Sequence, residues 1–306
     1  MHTISVTILQ ILIFLAAAPL LSGLITKLKN NLRMRQGQSV FWPYYNLVKL
    51  FSKDEAVSET ASWIFRVAPF VVIASTLTAA ALVPVFVNYS PAAHMGDFLA
   101  FIFILALGRF FMALAALDAG SAFGGMGSSR EMFISSLVEP ALLLIIFSLS
   151  LQAGSTNILT LSLRPALMMS SIIAAAALFF VMIAETSRIP VDNQETHLEL
   201  TMIHEAMVLE YSGRSLAFIE MAGYIKQMIF FVIIAQVVFP AGPVLGGPAH
   251  ILLWVLWFVL RFVIITVAVA LLEVSLAKMR LFRVADFLAF AFVLGAVAVV
   301  CAVLGV

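Results

Sequence analysis

Eight continuous apolar runs constrain the fold of this chain more strongly than any other feature of its sequence. Each run has about 20 residues, which is long enough for a helix to cross a hydrocarbon core about 30 Å thick. Only helices and closed barrels satisfy their backbone groups in lipid, and the ten-residue alternation of a barrel strand is missing. We therefore predict an all-α polytopic membrane protein, a single membrane domain over residues 1–306, with spans at about 4–25, 67–87, 98–117, 133–152, 166–186, 218–239, 250–273 and 284–305.

The basic residues of the loops fall on alternate sides of these spans. One set of loops carries a single basic residue, Arg164, whereas the other set is rich in lysine and arginine. The positive-inside rule then places both termini outside and the long charged loops in the cytoplasm. Two of these loops are expected to matter most: a basic cytoplasmic loop with an amphipathic helix over 26–66, and an acidic cytoplasmic coupling loop over 184–217.

An amphipathic helix is predicted within the segment Gly37 to Lys53, where Pro43 suits a first helical turn. The segment mixes aromatic residues with lysines and is too short to span. One interpretation is an anchor at the level of the lipid headgroups, where aromatic side chains are common. The alternative is the mouth of a lateral opening for a lipid-like substrate, lined by Trp42, Tyr44 and Tyr45.

Several chemical classes are excluded or disfavoured by composition. Cys301 is the only cysteine, so the chain has no internal disulfide and no cysteine-ligated iron–sulfur cluster of its own. A formal net charge of +1 gives no indication of nucleic-acid binding. Zinc-binding spacings such as H-E-x-x-H are absent, and we predict neither a metal site nor a catalytic residue in this chain.

Ionisable residues inside the spans are expensive, so each is a functional hypothesis by default. Glu139 and Glu185 are the candidates for proton transfer, because a desolvated carboxyl gains and loses protons near neutral pH. The alternative is a neutral, hydrogen-bonded glutamate that ties two helices together. Arg109 and Arg261 lie deeper and need partners from other helices, whereas Lys226 is expected to snorkel at the membrane edge.

The stretch from Ala184 to Gly213 holds the densest group of charges in the chain. Pro190 is expected to end the preceding helix, and Asp192 or Asn193 can cap the next. Closely spaced carboxylates repel one another unless some are protonated or face basic groups. The acidic set consists of Glu139, Glu185, Asp192, Glu195, Glu199, Glu205 and Glu210, and a role of this set in proton or ion coupling is what the family resemblance given next implies.

The arrangement E-T-x-R-x-P-x-D followed by E-Y-S-G resembles the long cytoplasmic loop of the heel subunit of respiratory complex I. It is more similar to the homologues of that subunit in membrane-bound [NiFe] hydrogenases and formate hydrogenlyases. Gly37-Gln38 stands where quinone-reducing members carry Gly-Pro, and Val191 stands where they usually carry phenylalanine. These departures favour the hydrogenase-type branch.

The resemblance implies a membrane-anchor and ion-coupling subunit without a redox centre of its own. Fe–S clusters and a [NiFe] centre are expected in partner subunits, namely a hydrogenase-like large subunit and an Fe–S small subunit of a peripheral arm. Antiporter-like membrane subunits and the lipid bilayer complete the expected surroundings, in the plasma (inner) membrane of a prokaryote. Docking of the arm is assigned to the first cytoplasmic loop, a Gly124–Arg130 loop and the acidic loop, through Arg33, Arg35, Arg130, Arg188 and Tyr211.

Two alternatives remain open at this point. One is a quinone-site subunit of respiratory complex I, with quinone near Trp42 to Tyr45. The other is a stand-alone ion transporter, against which stands the absence of an evident inverted repeat in the sequence.

Overall fold

The computed structural model describes residues 2–85, 96–162, 168–192, 202–239 and 248–305. Over these ranges the chain forms helices α1 (His2–Leu32), α2 (Trp42–Phe51), α3 (Trp63–Leu82), α4 (Phe98–Asp118), α5 (Ala122–Ala153), α6 (Ile158–Ser162), α7 (Met169–Glu185), α8 (His204–Val208), α9 (Gly213–Val238), α10 (Pro248–Ser275) and α11 (Leu281–Leu304).

Within this described part, seven helices are long and apolar enough to cross a membrane: α1, α3, α4, α5, α9, α10 and α11. The eighth apolar helix, α7, has 17 residues. At 1.5 Å per residue it reaches about 26 Å, close to the hydrocarbon thickness. The all-α polytopic class is confirmed. Each of these eight apolar helices coincides with one of the eight apolar runs. The side on which the termini lie stays a prediction.

The helix ends follow local sequence signals. The Asp97 carboxylate accepts a hydrogen bond from the Leu99 amide at 3.1 Å and so caps the first turn of α4. The Ser121 hydroxyl accepts one from the Gly124 amide at 3.1 Å and caps α5. Gly154 ends α5 with φ of 66°, a left-handed conformation that favours glycine.

The glycine-rich segment Gly124–Arg130 is helical, and its assignment as a loop was wrong. It forms the first turns of α5, which extends about three turns beyond the apolar run. Its glycines allow close packing: a Cβ on Gly124 would lie 2.3 Å from the Ala116 carbonyl oxygen. A Cβ on Gly127 would lie 2.9 Å from the Ala206 Cβ of α8.

The amphipathic helix predicted after Gly37 is α2, with Pro43 in its first turn. Leu47 and Leu50 are buried against α9, while Tyr45 and Val48 are exposed. One face of α2 therefore packs on the bundle and the other faces outwards, as in a helix that lies along a membrane surface.

The helices pack so that the end of α7 lies inside the bundle. The α7 helix packs against α5, α9 and α11, while α3 packs against α4 and α9. The surrounding core includes Phe230, Phe231 and Ile225 of α9, all of which are fully buried. Any polar group at the end of α7 is thereby enclosed by side chains from several helices.

Candidate functional site

The segment after α7 is polar and yet buried. The helix ends at Glu185, whose side chain is 3% exposed, and every residue from Thr186 to Asp192 is also buried. Buried polar groups need hydrogen-bond partners. The ion pairs made by this segment therefore define the candidate site.

Glu185 lies between two cations from different helices. Its Oε1 atom is 2.8 Å from Nη2 of Arg109 on α4, and its Oε2 atom is 3.3 Å from Nζ of Lys226 on α9. Arg109 also donates to the Ser135 hydroxyl at 2.9 Å, and its Nη1 atom lies 3.8 Å from Oε1 of Glu139. Desolvation costs several kcal/mol per ion, which mutual pairing offsets. Arg109 thus links carboxylates of α5 and α7.

A second buried group centres on Glu273 of α10. The carboxylate is 2.6 Å from Nη1 of Arg188 and 3.2 Å from Nζ of Lys29. The Arg188 guanidinium also donates from Nη2 to the Gln227 side-chain oxygen at 2.8 Å. This group fastens the segment after α7 to α1, α9 and α10.

Asp192 ties the same segment to α8. Its carboxylate is 2.6 Å from Nζ of Lys278 and accepts the amide hydrogens of Ile203 and His204, each at 3.1 Å. Asp192 thus holds the start of α8, whereas the helix that it was predicted to cap, with Glu195 and Glu199, lies outside the described residues. Burial lowers the pKa of His204 below its usual value near 6.5, so the ring is neutral at neutral pH.

A cavity of about 510 Å³ opens beside Glu185, and we call it the inner cavity. Its wall combines residues of α1 to α5 and α7 to α9. The charged members of that wall are Arg109, Glu131, Glu185, Arg188, Glu205, Glu220 and Lys226, with His204 beside them. A space of this volume with convergent polar groups holds water or a small ligand.

A second cavity of about 580 Å³, the basic cavity, lies beyond Arg188. It is lined by the end of α1, the segment 35–43 and the residues after α7. Lys29, Arg35 and Arg188 give it a basic wall, and Glu273 supplies a carboxylate. Trp42 lines both cavities and so marks where they adjoin.

Glu220 also lines the inner cavity, and its carboxylate is held by hydrogen bonds. Its Oε2 atom accepts from the Asn46 side-chain amide at 2.8 Å and from the Tyr224 hydroxyl at 3.4 Å. Among the described residues no lysine or arginine lies within ion-pair distance of it. The Asn46 contact joins α2 to α9.

The predicted coupling residues differ in their surroundings. Glu185 and Asp192 are buried and ion-paired, and Glu205 lines the inner cavity. Glu139 is 41% exposed at its side chain and faces outwards beside Arg109. Glu210 is partly exposed between α8 and α9, outside both cavities, and the remaining two, Glu195 and Glu199, lie outside the described residues.

The residues assigned to docking have contacts within this chain. Arg130 donates to the Met202 carbonyl at 2.7 Å, and Arg33 donates to the Glu273 carbonyl at 3.4 Å. Arg188 is buried in the group around Glu273. Arg35 is exposed at the rim of the basic cavity.

Tyr211, assigned to docking as well, is also internal. Its ring stacks on Phe65 with centroids 4.0 Å apart, and its hydroxyl donates to the Phe65 carbonyl at 2.9 Å. Burial raises the pKa of this phenol, so it stays protonated and able to donate. The side chain thus connects the end of the acidic loop to the start of α3.

Of the aromatic residues assigned to a quinone-like cavity, Trp42 alone is found on a cavity wall. The Tyr44 hydroxyl donates to the Ala16 carbonyl of α1, and Tyr45 is 67% exposed. These two side chains therefore face α1 and the surroundings of the molecule.

Sequence reasoning missed Glu131 and the role of Lys226. Lys226 was interpreted as a residue at the membrane edge, whereas it pairs with Glu185 and reaches the inner cavity. Lys226 lies four residues after Ala222, so the two share a face of α9. That face is buried in the folded bundle, and the side chain of Lys226 therefore points into it. Glu131 precedes the span predicted at 133–152, so it is not among the ionisable residues considered inside the spans.

The sequence profile of the NADH dehydrogenase family, the complex I subunit 1-like family, matches residues 4–304. The chain belongs to this family. It is 35% identical to hydrogenase-4 component C of Escherichia coli over 76% of this chain and 74% of that protein. It is 31% identical to formate hydrogenlyase subunit 4 of the same organism over 90% of each chain.

More distant members of the NADH dehydrogenase family are similar as well. A subunit of the NADH-quinone oxidoreductase of Helicobacter acinonychis is 27% identical over 76% of this chain and 78% of that protein. A chain in the structure of the membrane-bound sulfane sulfur reductase, an archaeal respiratory membrane complex, superposes with a TM-score of 0.83. That match covers 99% of this chain and 100% of the other at 15% identity, so it shows a shared fold.

Proposed function

We propose that this chain is the non-catalytic membrane-anchor and ion-coupling subunit of a complex-I-like hydrogenase of the formate hydrogenlyase type. The similarity to formate hydrogenlyase subunit 4 and to hydrogenase-4 component C supports this branch of the family. In the proposal, electrons move through partner subunits that carry Fe–S clusters and a [NiFe] centre. This chain holds that peripheral arm and links its turnover to proton or sodium movement.

One observation carries the coupling role: Arg109 bridges Glu185 of α7 and Glu139 of α5 inside the helical bundle. Glu185 faces the inner cavity, and Glu139 has much of its side chain exposed on the outer face of α5. Rearrangement of this bridge would change the charge balance on both carboxyls. Such buried ionisable groups are typical of proton pathways in membrane proteins.

The proposed surroundings follow from the same family. Antiporter-like membrane subunits would lie beside the membrane-embedded faces, in the plasma (inner) membrane of a prokaryote. The exposed carboxylate of Glu139 fits this arrangement, because a charge that faces lipid is costly and a neighbouring subunit can cover it.

A quinone-site subunit is the second candidate. The inner cavity, at about 510 Å³, has the volume of a small-molecule site, and Trp42 lies in its wall. The similarity to the NADH-quinone oxidoreductase protein of Helicobacter acinonychis also fits this role. Hydrogen turnover that requires added quinone would favour this candidate over the first.

Substitution of Glu139 tests the coupling role. We expect Glu139→Gln to reduce proton movement into inverted membrane vesicles at least tenfold, because a neutral amide cannot carry a proton or balance Arg109. Hydrogen turnover with a soluble redox dye should stay within twofold of wild type, since the redox sites lie in the partner arm. Glu59→Gln, on the exposed loop before α3, is the matched control. Full proton movement in Glu139→Gln would refute the assignment.

A further inference from the structure

Glu131 is a carboxyl of the inner cavity that the mechanism above does not use. It lies in the first three turns of α5, whose 32 residues reach about 48 Å and so exceed the hydrocarbon thickness. It lines the inner cavity, as does Glu185 at the end of α7. Among the described residues it has no ion pair and no hydrogen-bond partner.

The charges around it do not balance if every group is ionised. Arg109 of α4 and Lys226 of α9 line the same cavity as Glu131 and attract its carboxylate. Both are already engaged by Glu185, and Arg109 is shared with Glu139 as well. Among the described residues, Glu131, Glu139 and Glu185 thus share two cations, and one of the three carboxylates has no counter-ion of its own.

Arg188, the other described cation in the wall of the inner cavity, is paired with Glu273. Asp192 adds a further negative charge toward Glu131. Arg130, the adjacent residue, directs its guanidinium to the Met202 carbonyl. His204 of α8 lies in the same wall, and its burial favours the neutral ring.

In this arrangement, Glu131 is the carboxyl group that we expect to be protonated and therefore neutral. An ionised carboxylate in a desolvated site is costly unless it is paired, and protonation removes that cost. Glu185 has two cations, whereas Glu220 accepts hydrogen bonds from Asn46 and Tyr224 that stabilise a charged oxygen. Glu131 has neither an ion pair nor a hydrogen bond with any residue that the structure describes.

We propose that Glu131 is the proton-loading residue of the inner cavity: it holds a proton at rest and releases it to cavity water when Arg109 or Lys226 moves from Glu185 towards it. The step conserves charge and atoms, because the carboxylic acid becomes a carboxylate as one proton passes to water. This inference rests on the proposed coupling function and names the group that stores the proton.

Infrared difference spectroscopy of the purified intact complex tests the protonation state. A protonated carboxyl gives a carbonyl-stretch band that shifts in heavy water. We expect this band at neutral pH in wild type, in Glu139→Gln and in Glu220→Gln, and its loss in Glu131→Gln. A band that persists in Glu131→Gln, or that disappears in Glu220→Gln, would overturn the proposal.

Two further measurements distinguish a residue that stores a proton from one that only supports the structure of the site. Glu131→Gln has the shape and charge of the protonated acid, so the complex should assemble with wild-type yield and turn over with a soluble dye. Proton movement in inverted vesicles should fall at least tenfold, and Glu131→Asp should restore part of it. Failure of Glu131→Gln to assemble would contradict a neutral resting state.

Failure of the proposed coupling function would give a different result from failure of the proton-loading role. If the complex does not couple turnover to protons at all, wild-type vesicles show no proton movement, while the infrared band still reports on Glu131. If coupling exists and Glu131→Gln moves protons like wild type, the proton-loading role alone is refuted.

Discussion

Glu273 is the residue on which the segment after α7 depends most. Its carboxylate neutralises Lys29 and Arg188 at once, and both of these cations are nearly fully buried. Removal of one partner from a buried ion pair leaves an uncompensated charge, which costs about 3–5 kcal/mol. The position of Arg188, and with it the shape of both cavities, should therefore depend on this single acid.

Replacement of Glu273 by glutamine should lower the stability of the detergent-solubilised protein by a few kcal/mol, roughly the cost of a broken buried pair. The expected readout is a lower midpoint of thermal unfolding than wild type, measured at neutral pH. Glu59→Gln removes the same charge at an exposed position and serves as the control. Equal midpoints for Glu273→Gln and Glu59→Gln would show that the ion pair is not needed for the fold.

At the scale of elements, the contact between α5 and α8 sets one wall of the inner cavity. Gly127 allows α8 to lie against α5, where a Cβ would be 2.9 Å from Ala206 Cβ and 3.0 Å from the Ile203 carbonyl oxygen. The α8 helix carries His204 and Glu205 into the cavity wall. The spacing of these two helices is therefore a condition for the site.

Alanine substitutions at neighbouring glycines separate packing from helix propensity. Both Gly125→Ala and Gly127→Ala gain about 1 kcal/mol of helix propensity. The added methyl of Gly125→Ala meets nothing within 4 Å, so this variant should be at least as stable as wild type. Gly127→Ala should be less stable and should show faster amide hydrogen exchange in α8. The prediction is wrong if the two variants have the same stability and exchange.

At the scale of the whole molecule, hydropathy was enough to predict the all-α class and the position of each long helix. This prediction required only that each apolar run be continuous and long enough to span the membrane, and both properties can be counted in the sequence. The start of α5 was missed because glycine and serine suggested a loop, although here they permit close packing. The side of the membrane on which each loop lies is still a prediction from loop charge.

The candidate site could be predicted only in part, because its ion pairs join residues of different helices. Glu185 and Asp192 were identified from their own stretch, and Arg109 was expected to need a partner from another helix. The identity of that partner depends on how α4, α7 and α9 are placed, which no local pattern encodes. The groups around Glu185 and Glu273 therefore became visible only in three dimensions.

The central claim is that this chain belongs to a membrane complex whose redox chemistry lies in partner subunits. Gentle-detergent purification through a tag on this chain, followed by mass spectrometry of the associated proteins, tests it most directly. We predict an Fe–S small subunit and a hydrogenase-like large subunit with two C-x-x-C pairs for nickel and iron. A chain that purifies without any partner would contradict the claim, and one that also carries ions by itself in liposomes would be a transporter.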